Sequence, residues 1–437
     1  MSRPQHFGWF LARGFGPQGW GYPALDWDYD WTRPEVYQDA ARTLEQAGFD
    51  LVIIEDAPSL GSPSTIDLRV RHAFGGPKHD PLLLAPYLFQ ATRHLGVVPT
   101  VNPAAYLPYT AARQFATLQH LSGHRLGLNV VTDTGSARHF SDTSQLGHDE
   151  AYDRAEEWLA GIRALWHSWD DGALVADRET GVYADGAKLQ PVRHRGEHFA
   201  FDGPLNALPF TDGDPAIVSP GGSGRGLGFA GANSDVQLAL APLNEKSVRD
   251  YRARVHEAAI AKGRQPEDVK ILFAIQPEIT TSSEEADRIV AASAHPDDAA
   301  LVQIARKQSS DLETDLTSLD LDKALDPSIF GAHVSRGSIQ RLIGDRGEDA
   351  PLRAHLTALA RTGRITDRSG FVGTAEEFAD LVEELGEWGN DGVLLWGDFH
   401  PVTLHRTLDE LVPILRRRGI LRRAYADGGL QENLRAF

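Results

Sequence analysis

The sequence holds no cysteine and a single methionine, Met1. The first absence excludes disulfides, thiolate catalysis, iron–sulfur clusters and cysteine zinc sites together. Cysteine and methionine are the most oxidisable side chains, so their scarcity suits an enzyme that handles oxygen or peroxides. Compositional drift accounts for it more simply. Basic residues are also in deficit: 43 Lys and Arg face 61 Asp and Glu, for a net charge of −18. Such a surface repels nucleic acid and anionic membranes, which excludes both as expected partners. It leaves room for a local basic pocket. No apolar run approaches the ~20 residues of a membrane span. The opening MSRPQHFGWFLARGFG has too short an apolar stretch, and no small-residue cleavage pattern, for a signal peptide. The expectation is a soluble cytoplasmic protein.

What is present is a regular alternation over 437 residues, 41% of them hydrophobic. Short apolar runs read as strands: HFGWFLA (His6–Ala12), DLVIIED (Asp50–Asp56), LGVVPTV (Leu95–Val101), RLGLNVVT (Arg125–Thr132), PAIVSPG, DVQLAL, VKILFAI and GVLLWG. Continuous apolar runs of this length are expected of strands covered on both faces. Amphipathic patterns lie between them, as in Arg33–Phe49, where Pro34 suits a first turn and Gly48 a helix end. About eight βα units result, the count of a TIM (β/α)8 barrel. A doubly wound open sheet is the competing α/β arrangement; the even repetition favours the barrel. We expect one barrel domain over residues 1–437, with insertions near 171–209 (Asp171–Pro209, including a hairpin at RHRGEHFAFDG) and near 293–371 (Ser293–Phe371). Such segments serve barrel enzymes as lids or oligomer contacts.

In a barrel the active site lies at the C-terminal ends of the strands. LGLNVVTDTGSARHF (Leu126–Phe140) shows why this matters, because an apolar strand breaks off there into Asn129, Thr132, Asp133 and Thr134. The residues expected to converge are Asp56, Thr100, Asn102, Asn129, Thr132 and Asp133, with Ser219, Gly221, Gly222 and Ser223 after the fifth strand and Trp396, Asp398 and His400 after the eighth. Neutral hydrogen-bonding groups dominate, and metal-ligand spacing is missing. The set suits a polar organic cofactor better than a hydrolytic metal. SPGGSGRGLGFAG (Ser219–Gly231) is a strand, a glycine-rich turn and a helix start. Backbone N–H groups, the helix N-terminus, Ser223 and Arg225 are there to meet a phosphate. It matches neither the Walker A pattern nor GxGxxG, and a simple tight turn is the plainer alternative. His148 and Tyr152 are four residues apart and share a helix face; an N-capping Asp149 with Tyr152 in the core is the structural alternative. The aromatic stretch GWGYPALDWDYDW (Gly19–Trp31) reads equally as a loop over an aromatic ligand, a barrel plug or an interface.

Taken in order, FDLVIIED, TRHLGVVPT, PYTAARQFATLQHLSGHRLGLNVVT, HDEAYDRAEEWL, AIVSPGGSGRG, FVGTAEEFAD and LVPILRRRGILRRAY resemble the flavin-dependent monooxygenases of the bacterial-luciferase-like superfamily. The branch is that of nitrilotriacetate, EDTA and dibenzothiophene-sulfone monooxygenases, and the resemblance covers nearly the whole chain. It implies a barrel that binds reduced FMN (FMNH2) supplied by a separate NAD(P)H-dependent flavin reductase, and a C4a-(hydro)peroxyflavin, formed with O2, that oxidises or cleaves a small organic substrate, heteroaromatic ones included. It implies flavin contacts from Asp56, Thr100 or Asn102, Asn129, His148, Tyr152, Gly222, Ser223 and Arg225. Catalytic roles fall to His148, Tyr152 and Asn129, and a homodimer or homotetramer is expected. One departure is SPGGS at Ser219–Ser223, where the family often has QAGSS, so Gly222 replaces a serine. A riboflavin-degrading lyase using reduced flavin and O2, a deazaflavin (F420)-dependent hydride-transfer enzyme and a non-catalytic flavin-binding protein are the alternatives.

Overall fold

The computed structural model describes residues 3–437 except 12–29, 62, 64, 72, 74, 138, 141–145, 211–212, 331–333, 335, 348 and 367–368. Most of the aromatic N-terminal stretch, including Gly19–Trp20, therefore lies outside the described residues.

Four strands come first: β1 (His6–Leu11), β2 (Leu51–Ile54), β3 (Gly96–Val101) and β4 (Gly127–Val130). Two small antiparallel hairpins follow, β5–β6 (Leu174–Asp177, Val182–Ala184) and β7–β8 (Arg193–Arg195, Ala200–Asp202). Then come β9 (Ala216–Pro220), β10 (Val236–Ala239), β11 (Lys270–Ile279), β12 (Gly370–Gly373) and β13 (Gly392–Gly397). Parallel pairing runs β1–β2–β3–β4–β9–β10–β11–β13 and returns to β1, a closed barrel of eight strands. The competing open sheet is thereby excluded. The ring closes where Gly8 of β1 pairs with Leu394 of β13. Strand β12 pairs in parallel with the outer half of β11, from Gln276 to Ile279.

Alternation along the strands sorts two cores. Leu51, Ile53, Val98, Ala216, Val218, Val236, Leu272 and Leu394 fill the barrel interior, with Phe10 and Leu238 packed against them. The residues between them, such as Phe7, Val52, Val97, Leu128, Ile217 and Val393, join the larger core under the helices. Helix Leu430–Arg435 closes the N-terminal end of the barrel with Leu430 and Leu434. Gly96 and Gly127 make room for it: a Cβ on either would sit 2.6 and 3.2 Å from Leu430 methyl carbons.

Local chemistry explains the helix boundaries. Helix Pro34–Ala47 starts on proline and ends at Gly48, whose φ of +95° is in the left-handed region. Helices Gly224–Asn233 and Glu245–Ala261 cross so closely that a Cβ on Gly231 would lie 2.4 Å from the Ala258 carbonyl carbon. Residues 171–209 hold two hairpins rather than one. Within residues 293–371, helices Asp298–Leu312, Arg336–Ile343 and Leu352–Thr357 enclose a small core of their own around Leu301, Leu316, Leu342 and Leu356.

Candidate active site

Inward positions continue up β3 and β4 to Thr100 and Asn129, which face each other in register and are each only 3% exposed. Asn129 Nδ2 donates to Thr100 Oγ1 at 2.8 Å, while Asn129 Oδ1 is buried and has no partner among the described residues. A buried acceptor without a donor costs about 1–3 kcal/mol. Its presence at the top of the barrel fits a ligand that brings an N–H.

Above this layer a cavity of about 510 Å3 opens between the ends of β2, β3 and β4, with Asp56, Lys78, Asp80, Thr100, Asn102 and Tyr106 in its wall. Lys78 Nζ lies 2.8 Å from Glu55 and 3.9 Å from Asp56, so its charge is committed mainly to Glu55. Burial accordingly pushes the Asp56 carboxyl up from 3.8 to about 7, against the pull of Lys78 and with further upward pressure from Glu55 and Asp80. Burial also raises the Tyr106 hydroxyl. Asn102 is anchored to the backbone, donating to the Asp133 carbonyl at 2.8 Å and accepting from the Ala104 N–H, which leaves it a second amide N–H for the cavity.

The second half of the site lies beyond β9. Gly221 has φ +119°, and a Cβ on it would stand 2.9 Å from the Tyr152 hydroxyl. Ser223 caps helix Gly224–Asn233 by accepting from the Gly226 N–H at 3.0 Å. Tyr152, on helix His148–Trp166, is buried against this turn, and burial raises its hydroxyl pKa despite a hydrogen bond with Thr132. Arg225 donates to Asp153 at 2.6 Å and Glu156 at 2.9 Å, with its guanidinium 5.5 Å from the Tyr152 ring. His148 is at the edge. Its side chain is 60% exposed, 2.7 Å from Asp149, and its ring centre is 5.3 Å from that of Tyr152. The cap of its helix is Gly147, not Asp149.

The polar end of β4 joins the two halves. Thr132 meets Tyr152, and its neighbour Asp133 meets Asn102 through its carbonyl. The Asp133 carboxylate accepts from the Gly135 N–H and turns the chain away from the sheet. Asp56, Thr100, Asn102 and Asn129 thus gather on one side, and Tyr152, Gly222, Ser223 and Arg225 on the other. His400, by contrast, caps helix Pro401–Arg418 through Nδ1, which accepts from the Val402 N–H, and Asp398 accepts from the His400 N–H. Lys78, Glu55 and Tyr106 escaped the sequence reading. Lys78 stands in GGPKHD, a loop without periodicity.

A family model described as luciferase-like monooxygenase matches residues 6–392. A dibenzothiophene-sulfone monooxygenase of Rhodococcus erythropolis (strain XP) is 31% identical, over 99% of this chain and 97% of its own. Nitrilotriacetate monooxygenase component A of Aminobacter aminovorans is 30% identical, over 97% of this chain and 94% of its own. A solved riboflavin lyase, holding modified FMN and substrate riboflavin, superposes with a TM-score of 0.81 at 27% identity, covering 99% of this chain and 96% of its own.

Proposed function

The chain belongs to the luciferase-like monooxygenase family, and on that premise we propose that it is the cytoplasmic oxygenase component of a two-component FMN-dependent monooxygenase. A separate NAD(P)H-dependent flavin reductase would supply the FMNH2. The unpartnered Asn129 Oδ1 carries this reading, because an isoalloxazine ring offers N–H donors to a buried acceptor at the barrel top. The flavin would be held by Asn129 and Thr100 below, by Asp56 and Asn102 at the side, and at its phosphate by Gly222, Ser223 and Tyr152. When bound, reduced FMN supplies the two electrons that let one atom of O2 enter the substrate and the other leave as water.

The chain's own residues do the remaining work. Leu60, Tyr106 and Phe140 give the cavity wall an apolar stretch that would receive a small organic substrate. Asp56 holds a proton near neutral pH, and Tyr152 keeps its hydroxyl proton throughout the physiological range. Arg225 stabilises the turn by tying helix Gly224–Asn233 to Asp153 and Glu156, and His148 stands at the rim. Riboflavin cleavage is the second reading, favoured by the likeness to riboflavin lyase.

The test is an anaerobic titration with FMNH2, followed by mixing with O2 while absorbance is recorded. Saturable binding and a reoxidation course distinct from that of free flavin are expected. Failure to bind, or reoxidation as in buffer, would refute the assignment. A substrate screen that includes riboflavin then separates the two readings.

A further inference from the structure

The turn assigned above to the flavin phosphate contains two successive glycines, Gly221 and Gly222, whose peptides rotate at little steric cost. A carbonyl turned toward a phosphate would repel it, so something has to hold the turn. The holding groups lie behind it. Along β10, Val236 and Leu238 face the barrel interior, and Gln237 between them points into the helical layer, where it is fully buried. Its amide nitrogen donates to the Gly221 carbonyl at 2.8 Å and lies 2.9 Å from the Tyr251 hydroxyl. Tyr251 donates to the same carbonyl at 3.1 Å.

On the other side, Gln237 Oε1 accepts from Ser219 Oγ at 3.1 Å, and Ser219 Oγ lies 2.7 Å from Ser234 Oγ. A hydroxyl carries one proton. Ser219 gives its own to Gln237, so Ser234 is the donor to Ser219. The donors therefore run one way, from Ser234 through Ser219, Gln237 and Tyr251, and end on the Gly221 carbonyl. That carbonyl can only accept, which fixes the end of the Gln237 amide that faces it. Arg254 donates to the next carbonyl, that of Gly222, at 3.1 Å. With both carbonyls engaged, the N–H groups of Gly222, Ser223 and Gly224 have no protein acceptor among the described residues.

We propose that Gln237 is a positioning residue for phosphate recognition. It touches no ligand. Its amide, aligned by Ser234 and Ser219 and seconded by Tyr251, turns the Gly221 carbonyl away so that the amides of a flexible turn face an anion before one arrives. The inference rests on the reading that the FMN phosphate occupies this turn.

The test compares affinities for FMN and riboflavin, which differ only by the phosphate, in the full chain and in Gln237→Leu, Gln237→Glu and Tyr251→Phe. The wild type should prefer FMN. Gln237→Leu should weaken FMN binding about tenfold, the scale of one or two lost hydrogen bonds, with riboflavin affinity held within about twofold. Gln237→Glu keeps the shape but has no donor for the carbonyl once its carboxyl is ionised, so in alkaline buffer it should not rescue. Tyr251→Phe deletes one oxygen and should show a smaller loss of the same selective kind, which decides the matter if Gln237→Leu does not fold. Equal weakening of both flavins, or unchanged FMN binding in the folded variants, overturns the positioning role. A wild type without preference for FMN instead refutes the placement of the phosphate, and the positioning role with it.

Discussion

Asp56→Asn should stabilise this protein in alkaline solution and much less in acid. In the fold the Asp56 carboxyl titrates at about 7, against an ordinary 3.8, because burial penalises its charge more than Lys78 relieves it. Below pH 4 both folded and unfolded chains hold the proton. Between pH 4 and 7 the folded state keeps a proton that the unfolded state has released, so stability falls as pH rises through that window. Above about 7 the penalty is complete, and the gap between the two values amounts to ~4 kcal/mol. The side chain is only 18% exposed, so solvent screening removes little of this. An amide cannot ionise and escapes the penalty. The gain should be ~1 kcal/mol at pH 4.5 and ~4 kcal/mol at pH 8. At about 2.1 cal/mol/K of unfolding entropy per residue, the pH 8 gain raises the melting temperature of 437 residues by ~4 °C. Thermal melts of both proteins at the two pH values measure it. A gain that is flat with pH, or a loss at pH 8, would show that the Asp56 carboxyl is not desolvated as described. The same variant should lose turnover if a proton at Asp56 serves the reaction, a case of stability sacrificed at a functional position.

Gly231→Ala should cost about 1–3 kcal/mol or more in denaturant unfolding, since its methyl would meet the Ala258 and Ala259 backbone at 2.4–2.7 Å; an unchanged midpoint would refute the packing. Asn129→Leu should weaken reduced-flavin binding about tenfold by removing the buried acceptor; equal affinity would place the ring elsewhere. His148→Ala should leave the melting temperature unchanged and lower the yield of oxygenated product per O2 consumed. A normal yield removes this exposed histidine from catalysis.

All eight barrel strands were legible as apolar runs because burial on both faces leaves no polar alternation to confuse. Helix Pro34–Ala47 was legible from Pro34 and Gly48 because those residues act locally. The candidate site was legible where a polar residue stands in the last residues of an apolar strand or just after it, as at Thr100, Asn129 and Asn102. It was hidden where function depends on packing between elements. Gln237 sits inside DVQLAL and looks like a blemish in a strand; only the alternation of β10 and the approach of Tyr251 give it a role. Nor does a sequence tell that Lys78 spends its charge on Glu55 and leaves Asp56 undercompensated. The paired hairpins of residues 171–209 were read as one because their strands, three or four residues each, are largely exposed and carry no apolar period.

Closure of the ring has a consequence for biosynthesis. β1 pairs with β2 on one flank and with β13 on the other, and β13 also seals β11. Of the barrel strands, the first, β1, therefore waits for the last, β13. A nascent chain that pairs its strands as they emerge would carry a growing parallel sheet with bare edges at β1 and at its newest strand, and unpaired edges recruit other chains. Translation that stalls before Gly392 leaves those edges with no partner in the same molecule. Truncated products should thus be found in aggregates or bound to chaperones rather than as smaller folded proteins, and the rate at which the final strand is delivered should govern the yield of native enzyme.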